Sequence, residues 1–134
     1  EHVAEKLRQY PGAATAIHPE CGCVSACMRK LISGEAPKAM MQIRSTHGMI
    51  DFVRNTPSNT VIMATETGNV YPISKAVPEK TIIPASDEGI CAFMKQNTLY
   101  AVWHALENEV FEITVDPELA KCARIPIERM LEII

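Results

Sequence analysis

Apolar positions fall along this chain in alternating blocks of two kinds. Val3, Leu7 and Tyr10 repeat at helical spacing and Pro11-Gly12 then stops the segment, which predicts a helix over residues 1–10. Residues 13–17 form a short apolar stretch, read as a buried strand that ends at His18-Pro19. A helix over 22–33, a strand over 38–43 and a helix over 46–55 follow, the last with Met49, Ile50 and Val53 on one face. Residues 60–65 (TVIMAT) predict a third strand, 68–77 a weaker helix interrupted by Pro72, and 81–85 (TIIPA) a fourth strand, at an edge or ending at Pro84. The strongest helical pattern covers 92–107, where Leu99, Val102, Trp103 and Leu106 make an apolar stripe. Residues 110–115 (VFEITV) alternate and predict a strand. Asp116 caps a final helix with Pro117 at its first position, and Pro126 is expected to kink or restart it.

Strands that are apolar almost throughout, alternating with helices, predict an α/β fold in which a short parallel sheet is covered on both faces, a three-layer αβα arrangement. Ligands in such folds gather beyond the carboxyl ends of the strands. Those turns carry His18, Glu20 and Cys21 after the first strand, and Arg44, Ser45, Thr46 and His47 after the second. Thr65, Glu66, Thr67 and Gly68 follow the third, and Ser86, Asp87, Glu88, Gly89 and Cys91 the fourth. The polar residues fit for chemistry concentrate at these four places.

Composition narrows the class. A chain of 134 residues is one domain or one and a half small ones. With 47% hydrophobic and 22% charged residues it is globular, and aromatics at only 5% leave the core to aliphatics and seven Met. A net charge of −3 argues against a nucleic-acid partner. No apolar run approaches the ~20 residues that span a membrane. The charged residues 1–10 are not read as a secretory signal. A helix starting at residue 1, with neither cap nor initiator Met, predicts further sequence upstream. Five Cys, an odd number, fit a reducing compartment such as the cytoplasm, with some thiols on metal, better than a disulfide framework.

Each turn admits a chemical and a plainer reading. His18 and Glu20, two apart, can share proton transfer or hold a substrate carboxylate; equally, they can form a polar turn with Glu20 near a helix N-terminus. Ser45 and Thr46 can bind an anion at a helix start or simply cap it. Glu66 can orient a loop or serve as a solvated cap. Cys91, at the start of the helix expected over 92–107, would have its thiolate stabilised there, with Lys95 and Asn97 close by. Cys21, Cys23 and Cys27, with His18 nearby, offer a candidate zinc or ligand module, although C-x-C-x3-C lacks the second pair usual for zinc. On a helix, Cys23 and Cys27 can equally be buried thiols, and Cys122 reads as core.

Taken in order, HPEC at 18–21, RSTHGM at 44–49, ATETG at 64–68 and CAFMKQNTL at 91–99 resemble quinolinate synthase, and residues 117–133 resemble that family's C-terminal helix. The resemblance spans nearly the whole chain but only the C-terminal half or less of such an enzyme. It implies the last one to one and a half of three similar αβα domains arranged around a pseudo-threefold axis. Residues 1–45 would end the middle domain, 46–115 would form the last domain, and 116–134 a C-terminal helical segment. The implied activity condenses iminoaspartate with dihydroxyacetone phosphate to quinolinate, for NAD synthesis, at a 4Fe–4S cluster acting as Lewis acid. Carried over by position, Cys91 is the third cluster ligand, and His18 and Glu20 are the active-site pair, with Glu20 as general base. Ser45 and Thr46 are the hydroxyls that contact substrate. The family's other two cluster cysteines belong upstream, so the missing N-terminal half is an expected partner. This polypeptide alone is expected to bind no stable cluster and to lack full activity. The resemblance assigns nothing to Cys21, Cys23, Cys27 or Glu66.

Overall fold

The computed structural model describes residues 2–21 and 24–132, which fall into two compact units, 1–95 and 96–134. The first unit is built on four strands: β1 (Ala14–Ile17), β2 (Met41–Ile43), β3 (Thr60–Ala64) and β4 (Thr81–Pro84). All pair in parallel, in the order β2-β1-β3-β4. The two central strands are buried on both sides over nearly their whole length, as a sheet covered on both faces requires. β4 is an edge strand, which accommodates Pro84.

Each face has its own core. On one, Ala14, Ala16, Val61 and Met63 pack against Met49, Phe52 and Val53 of α3 (Thr46–Asn55) and Ile73 of α4 (Val70–Ala76). On the other, Ile17, Ile62 and Ala64 meet Val3 of α1 (His2–Gln9) and Cys27 of α2 (Val24–Ile32). This is the expected αβα layering. All four strands, the two before residue 45 and the two after it, are hydrogen-bonded into one sheet.

Three local expectations are revised. The strand expected over 38–43 is confined to Met41–Ile43, because the Pro37 carbonyl accepts the N–H groups of both Met40 and Met41 and turns the preceding residues. Pro72 does not interrupt its helix. It lies in the first turn of α4, behind a 3-10 turn at Thr67–Asn69, where an N–H would have no partner within the helix. Residues 92–98 do not belong to the helix expected over 92–107: a 3-10 turn covers Met94–Gln96 and α5 runs Leu99–Asn108. Thr98 sets that start, its hydroxyl accepting the Ala101 N–H at 3.1 Å.

In the second unit, α5 ends at Glu109 in the left-handed conformation. No strand follows. Residues 110–116 are irregular, and Phe111 at φ 67 breaks the extended backbone that the alternation of 110–115 predicted. α6 (Pro117–Leu131) is capped as expected, Asp116 Oδ1 accepting the N–H groups of Glu118 and Leu119 at 3.0 Å each. It continues through Pro126 without restarting. The α5 stripe faces outward, with Leu99 87% and Trp103 53% exposed.

Candidate functional site

Parallel pairing brings all four strand ends to one edge of the sheet. The sequence continuing from β1 and from β3 leaves toward opposite faces. α2 joins the core that contains Ile17, whereas α4 joins the core that contains Ala16. Where neighbouring parallel strands send their helices to opposite faces, a crevice opens between the two loops. Here it lies between β1 and β3. Pairing persists one step past the strand end, with the His18 N–H donating to the Ala64 carbonyl at 3.1 Å, and then the loops part.

A cavity of about 400 Å³ occupies this edge. Cys21 borders it from the β1 loop, Thr65 and Glu66 from the β3 loop, and Ser86, Gly89 and Cys91 from the β4 loop. Ala64, Ala85 and Val3 supply apolar wall. Cys21 Sγ lies 4.0 Å from Thr65 Oγ1, so the first and third loops touch here. The third and fourth are bonded directly, Thr67 N–H to the Gly89 carbonyl at 2.8 Å. Gly89 allows that approach: a Cβ there would stand 3.2 Å from the Ser86 carbonyl and 3.4 Å from that of Thr65.

Cys91 is half-buried on this wall. It is not at the N-terminus of an α-helix as expected, because the nearest α-helix begins at Leu99. Glu66 is the unexpected member. Its side chain is only 5% exposed; Oε2 accepts the Gly68 N–H at 2.8 Å, while Oε1 pairs with the Lys95 ammonium at 3.1 Å, off the angle of a hydrogen bond. The sequence shows a carboxylate two residues before a glycine at a strand end, which signals a cap but gives no sign of burial. Its cation is 29 residues away in the chain.

The other candidates stand along the same edge outside this cavity. His18 is half-buried and Glu20 exposed; the Glu20 N–H points to His18 Nδ1 at 3.4 Å, so the two belong to one tight turn. Ser45 caps α3, its Oγ accepting the Gly48 N–H at 3.3 Å, and Thr46 is the first residue of that helix; both are exposed. Arg44 donates from Nε to Gln42 Oε1 at 2.7 Å. Cys27 is buried in α2 beside Ile17, and burial pushes its thiol above the ordinary value of 9.0 against the opposing pull of Lys30. Cys23 lies outside the described residues, and Cys122 is exposed rather than core. Among the described residues no three His, Cys, Asp or Glu side chains converge as a metal ion would need. Of the zinc module considered above, Cys21 stands in the cavity wall and Cys27 in the core, while its third cysteine, Cys23, lies outside the described residues. Among the described residues no helix is long and apolar enough to cross a membrane.

Residues 1–132 match the family model described as Quinolinate synthetase A protein. The chain is 39% identical over 131 residues to the quinolinate synthase of Pyrobaculum aerophilum, covering 97% of this chain and 41% of that protein. It is 34% identical over 133 residues to a quinolinate synthase of Mycobacterium sp., covering 99% and 40%, and 32% identical to that of Mycobacterium tuberculosis, covering 99% and 38%. The chain thus spans about two fifths of the length of these relatives.

Proposed function

Because this chain belongs to the Quinolinate synthetase A protein family, we propose that it supplies the Cys91 side of a quinolinate-forming active site, in which iminoaspartate and dihydroxyacetone phosphate condense. One observation carries this reading: Cys91 stands in the wall of a cavity at the carboxyl edge of the sheet, beside the crevice where the chain reverses its winding. A half-buried thiol next to apolar wall suits an iron–sulfur ligand, since a thiolate bound to iron is shielded there from water. Cys91 would hold one corner of a 4Fe–4S cluster, with the remaining cysteine ligands coming from the rest of a protein of the relatives' length. When bound, such a cluster supplies a Lewis acid that polarises a substrate oxygen.

The chain's other residues take roles by position on the same edge. Glu20, exposed and free to reach a ligand, removes and returns a proton at substrate carbon as general base. His18, held in the same turn, binds a substrate carboxylate through its imidazole. Ser45 and Thr46 offer two hydroxyls at the start of α3, where unpaired N–H groups favour a phosphate or carboxylate. Their placement outside the Cys91 cavity fits a substrate that extends along the edge rather than sitting wholly within one pocket. The enzyme acts on small molecules, in the cytoplasm, with no nucleic acid or membrane as partner.

The test is Cys91→Ser in a full-length protein containing this region. Iron and sulfide content and the brown absorbance of the cluster should fall to background, while Cys27→Ser leaves them intact. Retention of a stoichiometric cluster in Cys91→Ser removes the proposal.

A further inference from the structure

We propose that Glu66 is a positioning residue for Cys91, acting through Lys95 to hold the Cys91 loop against the β3 loop. The inference deepens the reading of Cys91 as a cluster ligand and rests on it for its purpose. The geometry itself depends only on groups within the first unit. Two ties bracket the cysteine. On its N-terminal side the Thr67 N–H donates to the Gly89 carbonyl at 2.8 Å. On its C-terminal side the Lys95 ammonium lies 3.1 Å from Glu66 Oε1. Lys95 is also bonded to the cysteine's own backbone, its N–H donating to the Cys91 carbonyl at 3.1 Å. A pull on the Lys95 side chain is therefore passed to Cys91 through a single residue.

The asymmetry of burial gives this clamp its strength. An ion pair with both partners in water contributes little. Here the Glu66 side chain is 5% exposed and the Lys95 side chain 55%, so loss of the cation strands a charge inside the protein while the cation itself loses little. The second carboxylate oxygen is already committed to the Gly68 N–H at 2.8 Å, which fixes the direction in which Oε1 points. The site also leaves no room for a larger residue: a Cβ on Gly68 would stand 2.6 Å from Oε2 and 3.3 Å from the Lys95 ammonium. Between these ties, residues 90–93 have no regular structure of their own to keep the thiol facing the cavity. A thiol that must meet iron in a fixed direction needs such support from its surroundings.

Site-resolved alkylation of a cluster-free full-length protein containing this region tests this without reference to activity. The protein is treated with iodoacetamide, and Cys91 and Cys27 are quantified separately by peptide mass spectrometry. Lys95→Met removes the cation at a half-exposed position and should raise the Cys91 rate about fivefold by freeing the loop. Lys95→Arg keeps the cation and should restore the native rate. Glu66→Gln keeps an acceptor for Gly68 but loses the charge, and should behave like Lys95→Met. In all three, Cys27 in the core should stay protected. An unchanged Cys91 rate in Lys95→Met overturns the proposal. So does a rise shared equally by Cys27, which would show general unfolding. Failure of Cys91 as a cluster ligand would appear instead in the iron content of Cys91→Ser and leave these rates untouched.

Discussion

The Lys80 ammonium donates to the Thr56 carbonyl at 2.6 Å, just beyond the C-terminus of α3. It also reaches the carbonyls of Val53 at 2.7 Å and Arg54 at 3.4 Å. The last carbonyls of a helix have no partners within it, and a cation suits the negative end of its dipole. Lys80→Met keeps most of the aliphatic stem and removes every donor. The chain should lose roughly 1.5–3 kcal/mol, the range of a hydrogen bond to a charged group, with the lower part favoured because the site is only partly buried. A urea titration reads this as a lower midpoint at unchanged slope. An unchanged midpoint means that water replaces the ammonium without cost.

Gly68 is confined by the carboxylate beside it. In Gly68→Ala the new methyl, 2.6 Å from Glu66 Oε2, must drive the side chain off the Gly68 N–H. A buried carboxylate left with one partner instead of two costs about 1–3 kcal/mol. The variant should therefore unfold at lower urea and expose Cys91 to alkylation as Lys95→Met does. Native-like alkylation would mean that the carboxylate finds another position with both partners kept.

The Cys27 thiol links stability to pH. Burial raises it above its ordinary value of 9.0, with Lys30 opposing. In the unfolded chain the thiol loses its proton near that ordinary value, while the folded chain still holds it. Above about pH 9 the folded state thus binds more protons than the unfolded state, and stability falls as pH rises. Below that pH both states are protonated and the contribution is constant. Cys27→Ala removes the group, so the difference in unfolding free energy between variant and wild type should be level at neutral pH and shift in the variant's favour as pH passes above 9. Parallel curves through the alkaline range would show that the thiol titrates alike in both states.

The four strand ends were legible because their signals are local. A buried parallel strand is a short apolar run closed by a polar turn, and TVIMAT followed by ETG leaves little choice. The 46–55 helix was equally plain, since Ser45 caps it and Met49 and Val53 share a face. The segment 92–98 was misjudged for a physical reason. Ala92, Met94, Lys95 and Gln96 are good helix formers, yet Lys95 is drawn to a carboxylate on a different strand end, and Thr98 provides a competing start. Tertiary pairing overrode propensity. The VFEITV alternation fits a strand only when a neighbour accepts its hydrogen bonds, and periodicity says nothing about neighbours. For the site, the turns could be placed at one edge from the sequence. Which of them border the cavity depends on strand order, which puts β2 at the sheet edge away from β3 and β4, and leaves Ser45 and Thr46 outside the cavity that Cys91 enters.

Ser45 separates capping from ligand binding. Its Oγ accepts the Gly48 N–H at 3.3 Å, and the proposed substrate contact uses the same oxygen. Ser45→Ala removes both functions, with a stability loss of about 1 kcal/mol typical of a lost N-cap. Ser45→Asp divides them. An aspartate caps as well as serine and favours the positive end of the α3 dipole, so thermal unfolding of the chain should match or exceed wild type. The added negative charge beside Thr46 repels a dianionic phosphate or a dicarboxylate approaching the helix start. In a full-length enzyme carrying this region, Ser45→Asp should therefore raise KM for substrate at least tenfold without loss of Tm, an increment of about 1.4 kcal/mol in binding. A KM unchanged in Ser45→Asp, together with the expected loss of stability in Ser45→Ala, would reduce Ser45 to a helix cap and move the anion-binding role elsewhere on the edge.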